Sequence, residues 1–414
     1  MKYNTFTLPS GLRVIHLPAP SPVVYCGFQI AAGTRHEFSE EEGLAHFCEH
    51  MSFKGTARRN ALQIIRSLEE LGGELNAFTN KESTVYYAAI QKEHLRTAVS
   101  VLADMVYCSE YPQQEIDHEV EVVCDEIESY NDTPSELIFD DFENILFENH
   151  PLGHNILGTA ERLRTYTTAD CKRFTDRYYR PDNSVFFAYG DVDFERLLSW
   201  LDKHVAGSDK VTAGDCRCDN YGQRMTLKPL TPSLVVTRNL QTHQSHVIIG
   251  TRAYSYSDPH RMPLFLLNNL LGGPGMNSRL NISLRERNGL VYTVDSSMVN
   301  YGDTGVWTVY FGCDADDISR CCNLVRRELD RLMAEPLAAS RLAIAKRQLK
   351  GQIAIACDNR EQFALDFGKS FLFNGRERNL DELFQKIDNI TAGDVQEVAN
   401  ELFQKERLVT LIYK

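Results

Sequence analysis

The chain has 414 residues, 43% hydrophobic and 24% charged, with a formal net charge of −13. That length exceeds one ordinary core and suggests two domains of about 200 residues each. The acidic balance argues against a nucleic-acid partner, and no apolar run reaches the roughly 20 residues of a membrane span.

The first residues, MKYNTFTLPSGLRVIHL, lack the basic and apolar regions of a secretory signal. Alternation of Leu12, Val14 and His16 against Arg13 and Ile15 predicts a strand instead. A second strand is expected near Tyr25–Ala32, followed by a helix over HFCEHM. Glu74-Leu-Asn-Ala-Phe-Thr79 has the look of an edge strand, and residues 83–90 are β-rich and bounded by turn residues. A long amphipathic helix is predicted over 93–107, and an acidic one over 115–128. His150-Pro-Leu-Gly-His154 reads as a turn, because Pro151 and Gly153 interrupt any regular element.

Residues 206–224 are polar and aperiodic and read as a linker between a domain at 1–205 and another at 225–414. Cys216-Arg-Cys218 inside it is too closely spaced for the usual zinc pair. Eleven cysteines without that framework suggest a reducing, cytoplasmic compartment. Beyond the linker the order of elements recurs at an offset of about 220 residues. A strand at 246–253 precedes an apolar helix at 263–271, then a strand at 305–312 and a helix at 316–334. Each half is expected to be α+β, a mainly antiparallel sheet packed with helices on one side. Where the first half has His46, Glu49 and His50, the second has Leu266, Asn269 and Leu270, so only the first can bind a metal.

On a helix turning about 100° per residue, His50 lies about 40° from His46 and Glu49 about 60° to the other side. Two imidazoles one turn apart can close on one tetrahedral ion, and the carboxylate between them can reach a water in an open position. Cys48 points away, about 200° round the wheel, and is expected to pack. A catalytic zinc needs a third protein ligand. In EIDHEVEVVCDEIE (115–128), Glu115, Glu119 and Glu126 flank the apolar stripe together, and wheel geometry does not choose among them.

GLAHFCEHMSFKGT, then ELNAFTNKESTVYY, then EVEVVCDEI, resembles the inverted-zincin peptidases, the family of pitrilysin, insulin-degrading enzyme and the mitochondrial processing peptidase. The resemblance runs from about Leu8 to the end of the chain. It implies a zinc endopeptidase with His46, His50 and Glu126 as ligands of one Zn2+, Glu49 as general base and Glu119 as a supporting glutamate. In the second half, Arg285-Glu-Arg-Asn-Gly-Leu-Val-Tyr292 resembles the family's Arg…Tyr pair, which implies that Arg285 and Tyr292 contact the peptide. LLGGPGMNSRL before it is also typical, and GGPG lacks the Gly-Lys-Ser/Thr of a phosphate loop. The strand carrying Asn76, Ala77 and Phe78 would pair with an extended substrate by β-augmentation. Members of this length usually form a homodimer, or a heterodimer with a related subunit, around a closed chamber. A non-catalytic scaffold subunit is the competing reading, and peptide cleavage with and without chelator separates the two.

Overall fold

The computed structural model describes residues 2–205 and 227–414; the expected linker and the Cys216/Cys218 pair lie outside the described residues. In the first half, strands β1 (Asn4–Thr7), β2 (Arg13–Pro18) and β3 (Val23–Ile30) lead to helices α1 (Leu44–Met51) and α2 (Ala61–Glu69). A hairpin of β4 (Glu74–Thr79) and β5 (Thr84–Gln91) follows, then α3 (Leu95–Tyr107), α4 (Gln113–Asn131) and α5 (Pro134–Leu146). The half ends with α6 (Ala160–Leu163), α7 (Thr168–Tyr178), β6 (Ser184–Gly190) and α8 (Phe194–Val205).

The second half opens with β7 (Val235–Arg238), β8 (Ser245–Ala253), α9 (Arg261–Gly272), β9 (Val291–Asn300) and β10 (Gly305–Cys313). Helices α10 (Ile318–Ala334), α11 (Ala339–Ala356), α12 (Arg360–Asn374), α13 (Leu380–Asn389) and α14 (Ala392–Leu402) precede β11 (Val409–Tyr413).

Two compact units result, each built on one mixed, mainly antiparallel sheet. The first takes residues 2–128, 154–205 and 356–379; the second takes 129–153, 227–355 and 380–414. Each unit thus includes a segment from the other half of the sequence, α12 in the first and α5 in the second. The first sheet runs β1-β2-β6-β3-β5-β4, with β2 and β6 parallel. The second runs β7-β11-β8-β10-β9, with β7 and β11 parallel, so its strands follow β2-β6-β3-β5-β4 one for one.

The expected α+β architecture of two similar domains holds, and the exchanged helices add cover on the second face of each sheet. Strand residues alternate between faces. In the first unit Val24, Cys26, Phe28, Tyr86 and Phe186 pack toward α1 and α3. Ile15, Leu17, Val85 and Phe187 pack on the opposite face against Phe363, Ala364 and Phe367 of α12. Gln29 Nε2 donates to Leu365 O at 2.8 Å, and Arg13 donates to Phe371 O and Leu372 O, tying the helix to the sheet. In the second unit Ile138, Phe142 and Leu146, one stripe of α5, cover Ile248, Val306, Leu411 and Tyr413. Apolar residues on both faces of a sheet need cover on both, and the exchanged helices supply it.

Candidate metal centre

Helix α1 buries Leu44, Phe47, Cys48 and Met51 in the core and turns His46, Glu49 and His50 to one flank. Its start is unusual. Gly43, the N-cap residue, has φ 85° and no side chain to cap the first turn. Glu37 performs that task from six residues upstream, accepting from Gly43 N at 3.0 Å and Ala45 N at 2.7 Å. His154 Nε2 lies 2.9 Å from the same carboxylate, and the buried Lys81 ammonium donates to His154 O. A Cβ on Gly43 would meet Gly158 Cα at 2.8 Å, so glycine is needed for approach as well as for φ. His154 and the Gly158 backbone therefore clamp the helix start. At the other end, Ser52 Oγ donates to Cys48 O at 2.8 Å and sits 3.1 Å from Tyr86 Oη.

The His46 and His50 rings lie 4.6 Å apart, centroid to centroid. Helix α4 brings Glu126 to both: Oε1 is 3.9 Å from His46 Nε2, and Oε2 is 3.4 Å from His50 Nε2. One nitrogen of each histidine and a Glu126 oxygen all lie within 4.8 Å of one another. Two turns earlier on α4, Glu119 Oε1 accepts from His50 Nδ1 at 3.0 Å, and its other oxygen is 2.5 Å from Lys54 Nζ. Glu115 lies outside the donor group. Of the three flanking glutamates, Glu126 is the one that reaches both histidines among the described residues.

The titrations follow from these contacts. Burial, then the neighbouring His50, pushes His46 down to about 4. Burial also opposes charge on His50, but its bonds to Glu119 and Glu126 outweigh that and raise it to about 9. Burial raises Glu49 to about 7, against a hydrogen bond from Thr79 at 2.6 Å. Glu126 is lowered, chiefly by its bond to His50. Burial works to raise Glu119, but His50 and Lys54 outweigh it and hold the carboxyl below its usual range.

These donors fit a zinc ion. Zn–N and Zn–O lengths of about 2.0–2.1 Å at tetrahedral angles place donor atoms about 3.3 Å apart; here the Glu126 oxygens stand 3.4 and 3.9 Å from the imidazole nitrogens and the whole group lies within 4.8 Å. With its Nδ1–H given to Glu119, His50 would turn an Nε2 lone pair inward once an ion displaces the proton there, the carboxylate–histidine arrangement that fixes a metal-binding tautomer. His46 Nδ1 is buried and has no hydrogen-bond partner among the described residues, while its Nε2 faces Glu126 beyond hydrogen-bond range. Two imidazoles and one carboxylate leave a fourth position open. No other group of three such donors occurs among the described residues.

Strand β4 forms one edge of the first sheet. Leu75 and Ala77 point to the α1 side and pack on that core, whereas Phe78 faces the α12 side, its ring 6.1 Å from Tyr87. Asn76 shares the parity of Phe78, so of the three expected substrate residues only Ala77 turns its side chain toward α1. Arg285 and Tyr292 lie in the second unit, on a π-helical turn (Asn281–Glu286) and at the start of β9. The Arg285 guanidinium carbon is 5.5 Å from the Tyr292 ring centroid, and Tyr292 is 81% exposed. Sequence reasoning missed Glu37, Lys54, Thr79 and His154. Only Lys54 carried a local signal, one turn after His50.

Comparison with known proteins finds zinc proteases and peptidases of one family. Residues 13–160 match the family described as insulinase (peptidase family M16), and residues 165–349 match the peptidase M16 inactive domain. The uncharacterized zinc protease YmxG of Bacillus subtilis is 31% identical over 411 residues, 98% of this chain and 97% of the relative. The uncharacterized zinc protease ML0855 of Mycobacterium leprae is 32% identical over 401 residues, 96% of this chain and 89% of the relative. Among solved structures, a protease from Helicobacter pylori superposes with a TM-score of 0.92 at 21% identity, covering 100% of this chain and 99% of that one. A putative M16-like peptidase from Alicyclobacillus acidocaldarius gives 0.84 at 18% identity, covering 100% and 98%.

Proposed function

The chain belongs to peptidase family M16, the insulinase family, and on that premise we propose that it is a zinc-dependent endopeptidase cutting extended peptides. The observation that carries this reading is the convergence of His46, His50 and Glu126 within 4.8 Å, on the same helix flank as Glu49. His46 Nε2, His50 Nε2 and a Glu126 oxygen would hold one Zn2+. When bound, the ion supplies Lewis acidity toward a water and the scissile carbonyl.

The chain's own groups do the rest. Glu49 offers the oxygen not engaged by Thr79, accepts a proton from the attacking water and passes it to the leaving amine nitrogen. Its burial, at 7% exposure, favours a carboxyl that both takes and returns a proton near neutrality. Glu119 keeps His50 in the tautomer described above. The free edge of β4 takes the peptide as an added strand, so backbone bonds supply affinity independent of sequence. In keeping with the family resemblance, the Tyr292 hydroxyl is the second donor to the developing oxyanion and Arg285 holds the peptide backbone.

No described helix is long and apolar enough to cross a membrane. We place the enzyme in the cytoplasm on its eleven cysteines, and propose that it works as a homodimer or with a related subunit. Incubation with a mixed peptide library, with and without chelator, tests the reading. Cleavage abolished by chelator and restored by zinc is expected; a protein that cleaves nothing with zinc bound contradicts it.

A further inference from the structure

Strand β4 ends at Thr79, directly beside the proposed base. The Thr79 hydroxyl donates to Glu49 Oε2 at 2.6 Å, and both residues are buried. Among the described residues this is the hydrogen bond that the Glu49 carboxylate takes. Thr84, opposite Thr79 in the hairpin, offers that proton only a neutral acceptor, and at longer range than the carboxylate. Its own hydroxyl donates to Ala32 O at 2.9 Å and stands 3.4 Å from Thr79 Oγ1.

The backbone of Thr79 has a second role. Asn80 N donates to Ser83 O at 2.8 Å, which makes residues 80 and 83 a hydrogen-bonded pair of the hairpin. Bonded and non-bonded pairs alternate along an antiparallel ladder. The pairs Thr79–Thr84 and Ala77–Tyr86 are therefore non-bonded, and Thr79 and Ala77 turn their N–H and C=O groups toward the free edge. Side chains of odd-numbered β4 residues point to α1, as Ala77 does. One residue thus presents its backbone to the edge where a peptide would pair and its hydroxyl to the carboxylate that would act on it.

We propose that Thr79 is a positioning residue for the reaction, aiming the Glu49 carboxylate from the strand that receives the peptide. This rests on the reading of Glu49 as the base. A hydrogen bond of 2.6 Å to a carboxylate is at the strong end of its class and restricts the terminal rotation of Glu49. Without it the carboxylate is free to turn about its last torsion, leaving neither oxygen fixed toward the water. Misplacement of a catalytic group by about 1 Å can lower a rate by about 100-fold, so losing this tether should lower kcat by roughly 10- to 100-fold. Peptide affinity, which depends on backbone groups that remain, should not change.

The test compares Thr79→Val, close in shape but without the donor, with Thr79→Ser, which keeps it. Zinc content, KM and kcat are measured on one extended peptide, with Glu49→Gln alongside. Thr79→Val should keep its zinc and its KM while losing kcat, and Thr79→Ser should recover most of the loss. Wild-type kcat in Thr79→Val, zinc lost in step with activity, or no rescue by serine would overturn the proposal. Crystal structures of the metal-free wild type and Thr79→Val read the tether without turnover. The Glu49 carboxylate should leave its position in the variant; if it stays, the proposal fails. Turnover retained by Glu49→Gln, or a wild type that cleaves no peptide, defeats the assignment of the base instead, and the crystal comparison still decides the tether.

Discussion

Replacing Glu119 by glutamine separates a carboxylate that supports the metal from one that merely lies near it. Glu119 is 5% exposed and receives His50 Nδ1 at 3.0 Å and Lys54 Nζ at 2.5 Å, one on each oxygen. Glutamine keeps the shape but has one acceptor, and its amide must face either the imidazole N–H or the Lys54 ammonium, donor against donor. The negative charge that makes His50 a stronger base is also lost. Loss of such a partner lowers metal affinity by about 10- to 100-fold, equivalent to about 1.4–2.7 kcal/mol. Competition against a chromophoric chelator at fixed neutral pH measures this on metal-free protein, with circular dichroism checking the fold. Glu115→Gln, on the same helix but outside the donor group, is the control and should bind zinc as the wild type does. Zinc affinity of Glu119→Gln within about twofold of wild type would refute the reasoning, because losing the partner of a metal-binding histidine typically costs about 10-fold or more.

Glu49→Gln should bind a full complement of zinc yet lose roughly 100- to 10,000-fold in kcat, read by peptide cleavage beside metal analysis. Glu37→Ala leaves two buried N–H groups at the start of α1 unpaired and should lower stability by about 2–3 kcal/mol, measured by urea unfolding. His36 is buried and its folded pKa is lowered to about 4, from an ordinary 6.5, by burial and then by Arg35. The folded state therefore binds fewer protons, and this contribution is complete above pH 6.5 and lost as pH falls toward 4. At about 1.4 kcal/mol per unit the loss approaches about 3 kcal/mol, and His36→Gln should flatten urea midpoints across that window. Equal slopes in wild type and variant would exclude His36 as the cause. Tyr292→Phe should reduce kcat without affecting zinc content; undiminished kcat on every peptide would remove Tyr292 from the chemistry.

Part of this was readable from residues alone. Helical periodicity put His46, Glu49 and His50 on one flank, since their relation depends only on the turn of a single helix. Glu126 was different, because Glu115 and Glu119 share its side of α4 and only packing against α1 distinguishes them. The family resemblance implies Glu126 as the ligand, and in the structure its oxygens lie 3.9 and 3.4 Å from the two histidines. The exchanged helices were not readable: the stripe Ile138, Phe142, Leu146 says that α5 is covered but not by which sheet. Thr79 and Glu37 were equally hidden. Each acts across 30 residues or fewer, but through hydrogen bonds that no local pattern of hydrophobicity records.

Zinc stoichiometry of Glu126→Gln, measured beside the wild type after dialysis against a competing chelator, tests the central claim most directly. About one zinc per wild-type chain and a large loss in the variant are expected, because two histidines on one helix then remain without their third ligand. Full zinc occupancy in Glu126→Gln would contradict the metal centre described here, whatever peptides the protein cleaves.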